Sequence, residues 1–168
     1  LFVNGLLAAI FWTSAVINPN GSIANSLAVE RAEEFTSYGL SVLEYQNQEV
    51  GSEIQLNFGH DTTYGPLQRM TSVSLTDQVG FWVGHGFYNE IDLFDKFSAG
   101  FSFVPGLYNR ANEVDLGGWL MFRSGLQVNY NISEKYSVSV SFDHRSSGDI
   151  WEFNPGLETW QIKLRSYL

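Results

Sequence analysis

From Tyr136 to Leu168 apolar and polar residues alternate with a period of two, broken once in the middle, and this pattern limits the fold more than any other. On the first run Tyr136, Val138, Val140, Phe142, His144 and Ser146 share one parity, and Ser137, Ser139, Ser141, Asp143 and Arg145 the other. On the second run Glu158, Trp160, Ile162 and Leu164 oppose Thr159, Gln161, Lys163 and Arg165. Successive side chains of a strand point to opposite faces, so each run is a strand with one apolar and one polar face. The break holds Asn154-Pro-Gly156, which is turn chemistry, and the two runs therefore make a β-hairpin. Ser146, His144 and Glu158 fall on the apolar face. A soluble enzyme would seldom set hydrolytic groups there, whereas an enzyme acting on a lipid would.

The same alternation recurs upstream. Strands are expected near residues 36–46, 51–61, 67–77, 79–89, 96–108, 114–131, 134–146 and 157–168, separated by turn-forming segments such as Asn47-Gln-Glu, Asp61 to Pro66, Asn89-Glu and Asn109 to Asn112. An even number of strands with short turns suits an all-β, eight-stranded antiparallel up-and-down barrel crossing a membrane. Closure leaves no strand edge with unpaired backbone groups in lipid. A soluble sandwich with its apolar faces inward satisfies the same alternation. The polar faces decide against it, because Ser, Gln, Asn and Gly are the small filling of a narrow barrel. Arg123, Asp143, Lys163 and Arg165 are then expected inside, and Val138, Val140, Phe142, Trp160, Ile162 and Leu164 against lipid.

Composition narrows the function classes. The 26 aromatic residues (5 Trp, 8 Tyr, 13 Phe) among 168 argue against disorder. A formal net charge of −9 argues against nucleic acid, whose phosphates need a basic surface. With no cysteine there is neither a disulfide framework nor a thiolate metal site. The continuous apolar run at residues 1–17 is followed by small-x-small patterns at Ser22-Ile-Ala24 and Ser26-Leu-Ala28, so residues 1–28 are expected to be a signal peptide and residues 29–168 the barrel enzyme domain.

A serine hydroxyl attacks an ester only when a base takes its proton, and a histidine base works best when a carboxylate fixes its tautomer. His144 and Ser146, at i and i+2, have Cα atoms about 6.5–7 Å apart on one face. Glu158 opens the neighbouring strand on the same side. This spacing suits Ser146 as nucleophile, His144 as base and Glu158 as orienting acid. His60 and His85 have no hydroxyl at such a spacing and are read as rim or interior residues. Trp151, Phe153 and Trp160 fit an interfacial aromatic girdle.

In order, spacing and placement, His144-Arg-Ser146 followed by Asn154-Pro-Gly156-Leu-Glu158 resembles the last hairpin of the PagL-type outer-membrane lipid A 3-O-deacylases, of the acyloxyacyl-hydrolase-like group. The segment from Leu116 to Leu126 is similar to the family's preceding strand. The resemblance implies a Ser–His–Glu triad on the outer surface of an eight-stranded barrel, no metal or other cofactor, and hydrolysis of an ester-linked acyl chain of lipid A. Where the family has Asn after the nucleophile, this chain has Ser147. The oxyanion donors expected here are the Ser147 hydroxyl or the amides of Ser147 and Gly148, with Asn154 bracing the loop. The partners implied are lipopolysaccharide in the outer leaflet and membrane lipids, and a homodimer is compatible with them. Two other readings stay open at this point: an outer-membrane phospholipase, and a non-catalytic structural or adhesin-like barrel.

Overall fold

The structure, a computed structural model, describes residues 29–168, and the signal-peptide reading of residues 1–28 lies outside it. The described residues form strands β1 (Val29–Arg31), β2 (Phe35–Tyr45), β3 (Gln48–Tyr64), β4 (Leu67–Thr76), β5 (Phe81–Phe94), β6 (Phe97–Asn109), β7 (Leu120–Asn131), β8 (Tyr136–Ser146) and β9 (Leu157–Tyr167), with no helix among them. The eight long strands, β2 to β9, each pair antiparallel with their sequence neighbours, and β9 pairs with β2 to close the sheet into a barrel. One end carries the turns at 46–47, 77–80, 110–119 and 147–156. The other carries 65–66, 95–96 and 132–135, beside Phe35 and Tyr167.

The alternation sorts as a membrane barrel requires. Leu40, Ile54, Leu75, Val140, Trp160 and Ile162 stand exposed on the outer wall, the last at 69%. The inward positions are polar and buried, and they pair with one another because no water reaches them in bulk. Arg123 donates through Nε to Asp143 Oδ2 at 2.8 Å, and Gln161 Nε2 donates to the same oxygen at 3.0 Å. Nearer the 65–66 end, Arg165 reaches Glu90 and Tyr88, each at 2.6 Å. Arg123, Asp143, Lys163 and Arg165 are all inside, as expected.

Three boundaries differ from the sequence reading. The turn expected at Asn89-Glu does not form. Asn89 stays in the ladder opposite Phe101 of β6, covered to 1% exposure, and β5 runs on to a turn at Asp95, where φ is +46°. β3 continues past Asp61 to Tyr64 through an irregularity between Gly59 and Thr63. Its extra length pairs with β1, a strand too short to show a periodicity of its own. β7 begins at Leu120 rather than 114, because Glu113 to Trp119 form a loop with Gly117 at φ +92°.

Candidate active site

The site stands at the long-loop end, where β8 stops and β9 starts. His144 and Glu158 are direct partners across this ladder, so their side chains leave the sheet on the same face and meet at 3.0 Å, Nδ1 to Oε1. The carboxylate can only accept here, which puts the imidazole proton on Nδ1 and leaves Nε2 as the basic nitrogen. Ser146 lies two residues further on the same outward face, opposite Phe122 of β7. Its Oγ accepts the Gly148 N–H at 3.3 Å.

The outward face is as the sequence predicts, but the exposure is not. His144 is 6% and Ser146 1% accessible, while Glu158 is half-buried. The cover comes from the 147–156 loop, which turns back over the end of β8. Asn154 staples it: Oδ1 accepts the Ser147 N–H at 2.8 Å, and Nδ2 donates to Asp149 Oδ1 at 2.8 Å. Gly148 and Asp149 take successive positive φ values of 62° and 64° to make the reversal. With the Ser147 amide committed to Asn154, the Gly148 amide is the donor left beside the serine oxygen. The Ser147 hydroxyl is buried with no hydrogen-bond partner among the described residues.

Gly156 was not singled out as a site residue, and the fold makes it one. Its φ of +78° favours glycine, and a Cβ there would stand 2.5 Å from His144 Cε1 and 3.1 Å from Nε2. Gly156 therefore leaves no room for a side chain beside the imidazole and limits how the ring can turn. Pro-Gly ahead of the last strand was the available signal, read as a turn and as part of the hairpin motif but not as a contact of the imidazole. Gly156→Ala is expected to displace the ring and lower turnover about a hundredfold with the barrel intact, since small misplacements of a catalytic group are costly. Steady-state hydrolysis of a detergent-dispersed ester compared with heat-modifiable gel mobility checks this, and an unchanged rate would show that the ring is not held by this contact.

The neighbouring 110–119 loop supports the cover. A Cβ at Gly117 would lie 1.7 Å from the Phe153 carbonyl oxygen, so the two loops meet backbone to backbone. Trp119 and Trp151 pack with ring centroids 6.3 Å apart. On the wall beneath the site, Phe142 and Trp160 pack at 4.9 Å, and Trp160 Nε1 donates to Glu44 Oε2 at 3.0 Å. Glu44 is the cross-strand partner of Glu158 on β2, a second carboxylate beside the first that the sequence reading did not foresee.

The family model described as lipid A 3-O-deacylase (PagL) matches residues 37–166. The barrel is similar to the crystal structure of the outer membrane enzyme PagL, with a TM-score of 0.62 and 14% identity over 80% of this chain and 99% of that one. It is similar also to de novo designed transmembrane β-barrels, at a TM-score of 0.57 and 8% identity over 83% of this chain and 99% of that one. Neisserial surface protein A matches at 0.57 and 9% identity, over 80% of this chain and 96% of its own. At such identities these structures share the fold alone. Among curated proteins no sequence matches this chain.

Proposed function

The chain belongs to the lipid A 3-O-deacylase (PagL) family and is an integral outer-membrane barrel, and from that premise we propose that it hydrolyses the 3-O-linked acyl ester of lipid A with Ser146, His144 and Glu158. The observation that supports this most directly is the His144–Glu158 hydrogen bond, which fixes the imidazole tautomer beside Ser146. His144 Nε2 takes the Ser146 proton as Oγ attacks the ester carbonyl. The Gly148 N–H, which donates to Ser146 Oγ at 3.3 Å in the free site, turns to the ester carbonyl oxygen as that oxygen becomes negative. Collapse of the tetrahedral intermediate breaks the bond to the sugar oxygen, which leaves with the proton held by His144. Water, deprotonated by the same nitrogen, then attacks the acyl-serine and releases the fatty acid. Asn154 and Gly156 hold the loop and the ring in register; neither touches the reacting atoms.

The topology suits the substrate. The site end carries the longer loops, and in a barrel whose termini lie in the periplasm this end faces the outside, where lipid A forms the leaflet. The outward orientation of the three residues then meets an ester at the depth of the acyl chains without drawing the lipid into the barrel.

Mass spectrometry of lipid A from cells producing the wild-type protein, the Ser146→Ala variant or neither tests the proposal. Loss of one hydroxyacyl chain only with the wild type is expected. Lysophospholipid release with intact lipid A would replace the reading with a phospholipase, and no change in either lipid would leave a non-catalytic barrel. In detergent-dispersed substrate the rate is expected to be the same with chelator as with added calcium.

A further inference from the structure

Away from the triad, the outer wall carries a second set of polar side chains. His60 on β3, Arg69 and Thr71 on β4 and His85 on β5 share their strands' outward face with Phe58, Val73, Leu75, Phe81 and Val83, all exposed to the lipid side. Thr71 is the direct partner of both Phe58 and His85, so the group spans three adjacent strands. Sequence spacing had placed the two histidines on the rim or inside with no hydroxyl partner. The hydroxyl comes from the strand between them. His60 Nε2 and His85 Nδ1 lie 2.7 and 2.9 Å from Thr71 Oγ1.

The direction of these bonds follows from one end. Arg69 Nε can only donate, and it does so to His85 Nε2 at 3.3 Å. That nitrogen is therefore unprotonated, and His85 carries its proton on Nδ1 and gives it to Thr71 Oγ1. Thr71 keeps one proton to give, and His60 Nε2 at 2.7 Å is the ring nitrogen in reach of it, an arrangement in which His60 carries its own proton on Nδ1. The chain of donors starts at a guanidinium and ends at an N–H. Among the described residues Arg69 is also the one arginine of the eight barrel strands with no carboxylate within 4.0 Å; Arg123, Arg145 and Arg165 all have one. A metal ion would meet a cation and two imidazoles already engaged as neutral partners. An anion would meet a guanidinium and a terminal donor, on a wall where an unneutralised charge is costly.

We infer that this cluster is a binding site for the phosphodiester of a membrane glycerophospholipid. Arg69 lies near the start of β4, beside the Gly65–Pro66 turn, and His60 near the end of β3. The cluster thus runs from the middle of the wall toward the end opposite the triad. With the triad end at the cell surface, as proposed above, that is the leaflet of glycerophospholipids rather than of lipid A. Arg69 supplies the charge and His60 a second donor, and the acyl chains lie along the apolar residues around them. The site would anchor one lipid to the β3–β5 wall and fix how deep the barrel sits.

Native mass spectrometry of the full barrel released from detergent tests this, with dioleoylphosphatidylglycerol, dioleoylglycerol or lipid A added to separate samples. In the Ser146→Ala background no ester is cleaved, so the result stands apart from the fate of the hydrolase reading. One phosphatidylglycerol is expected to stay bound, dioleoylglycerol is not, and Arg69→Leu is expected to lower retention about tenfold or more. Heat-modifiable mobility confirms that the variant is folded, and Arg69→Gln takes its place if it is not. Equal retention by wild type and a folded Arg69 variant, equal retention of dioleoylglycerol, or Arg69-dependent retention of lipid A in place of the phospholipid would each overturn the inference.

Discussion

Replacing Ser146 by alanine is expected to lower lipid A deacylation by roughly a thousandfold or more while the barrel folds as before. The hydroxyl accepts a long bond from the Gly148 amide and fills little space, so its loss removes chemistry rather than packing. His144→Asn is expected to be about as damaging, because nucleophile and base act as one unit. Glu158→Ala costs less. The carboxylate acts only through the imidazole, and Gly156 still confines that ring from its other side. Rates on detergent-dispersed lipopolysaccharide, set beside the gel mobility of the folded form, rank the three. Wild-type turnover by Ser146→Ala would remove the proposed nucleophile, and a Glu158 variant worse than the His144 variant would break the assigned order of roles.

Much of the fold was legible because a period of two with polar inward faces has few solutions. The hairpin from Tyr136 to Tyr167 forms with its apolar residues on lipid, and His144 stands opposite Glu158 as same-face parity implies. What was not legible depends on contacts between strands far apart in sequence. Thr71 joins His60 to His85 only because β4 lies between β3 and β5. The 147–156 loop over Ser146 meets the 110–119 loop at Gly117, and no local pattern announces that two loops will pack. Asn89 misled for a physical reason: Asn-Glu is turn chemistry by its local sequence, but here Glu90 is drawn inward by Arg165 from β9 and Asn89 keeps its place in the ladder opposite Phe101. Gly156 was visible as a turn residue, and only the folded hairpin shows the imidazole against it.

The interior offers the second large effect, through Glu53. Arg123 and Arg145 are direct cross-strand partners on β7 and β8, two guanidiniums side by side inside the barrel. Like charges so placed repel, and Glu53 from β3, on the far wall, sits between them. Its Oε1 lies 2.7 Å from Arg123 Nη1 and its Oε2 2.5 Å from Arg145 Nη2, with all three side chains almost wholly buried. The arginines differ in what else they have. Arg123 also holds Asp143 at 2.8 Å, whereas Arg145 has no second carboxylate within 4.0 Å among the described residues. Glu53→Leu is therefore expected to destabilise the barrel by roughly 3–5 kcal/mol, most of it from the stranded Arg145 charge. Adding Arg145→Leu removes that charge, so the double variant is expected to be more stable than Glu53→Leu alone, opposite to additive losses. Urea unfolding in lipid vesicles, followed by tryptophan fluorescence, measures both. Because Arg145 stands between His144 and Ser146 on β8, its anchor in the interior also holds the strand that presents the site. Glu53→Leu is thus expected to lower deacylation at temperatures where the barrel is still closed, and the double variant to regain little of it. Stability unchanged in Glu53→Leu would show that the two guanidiniums are neutralised by groups other than this carboxylate.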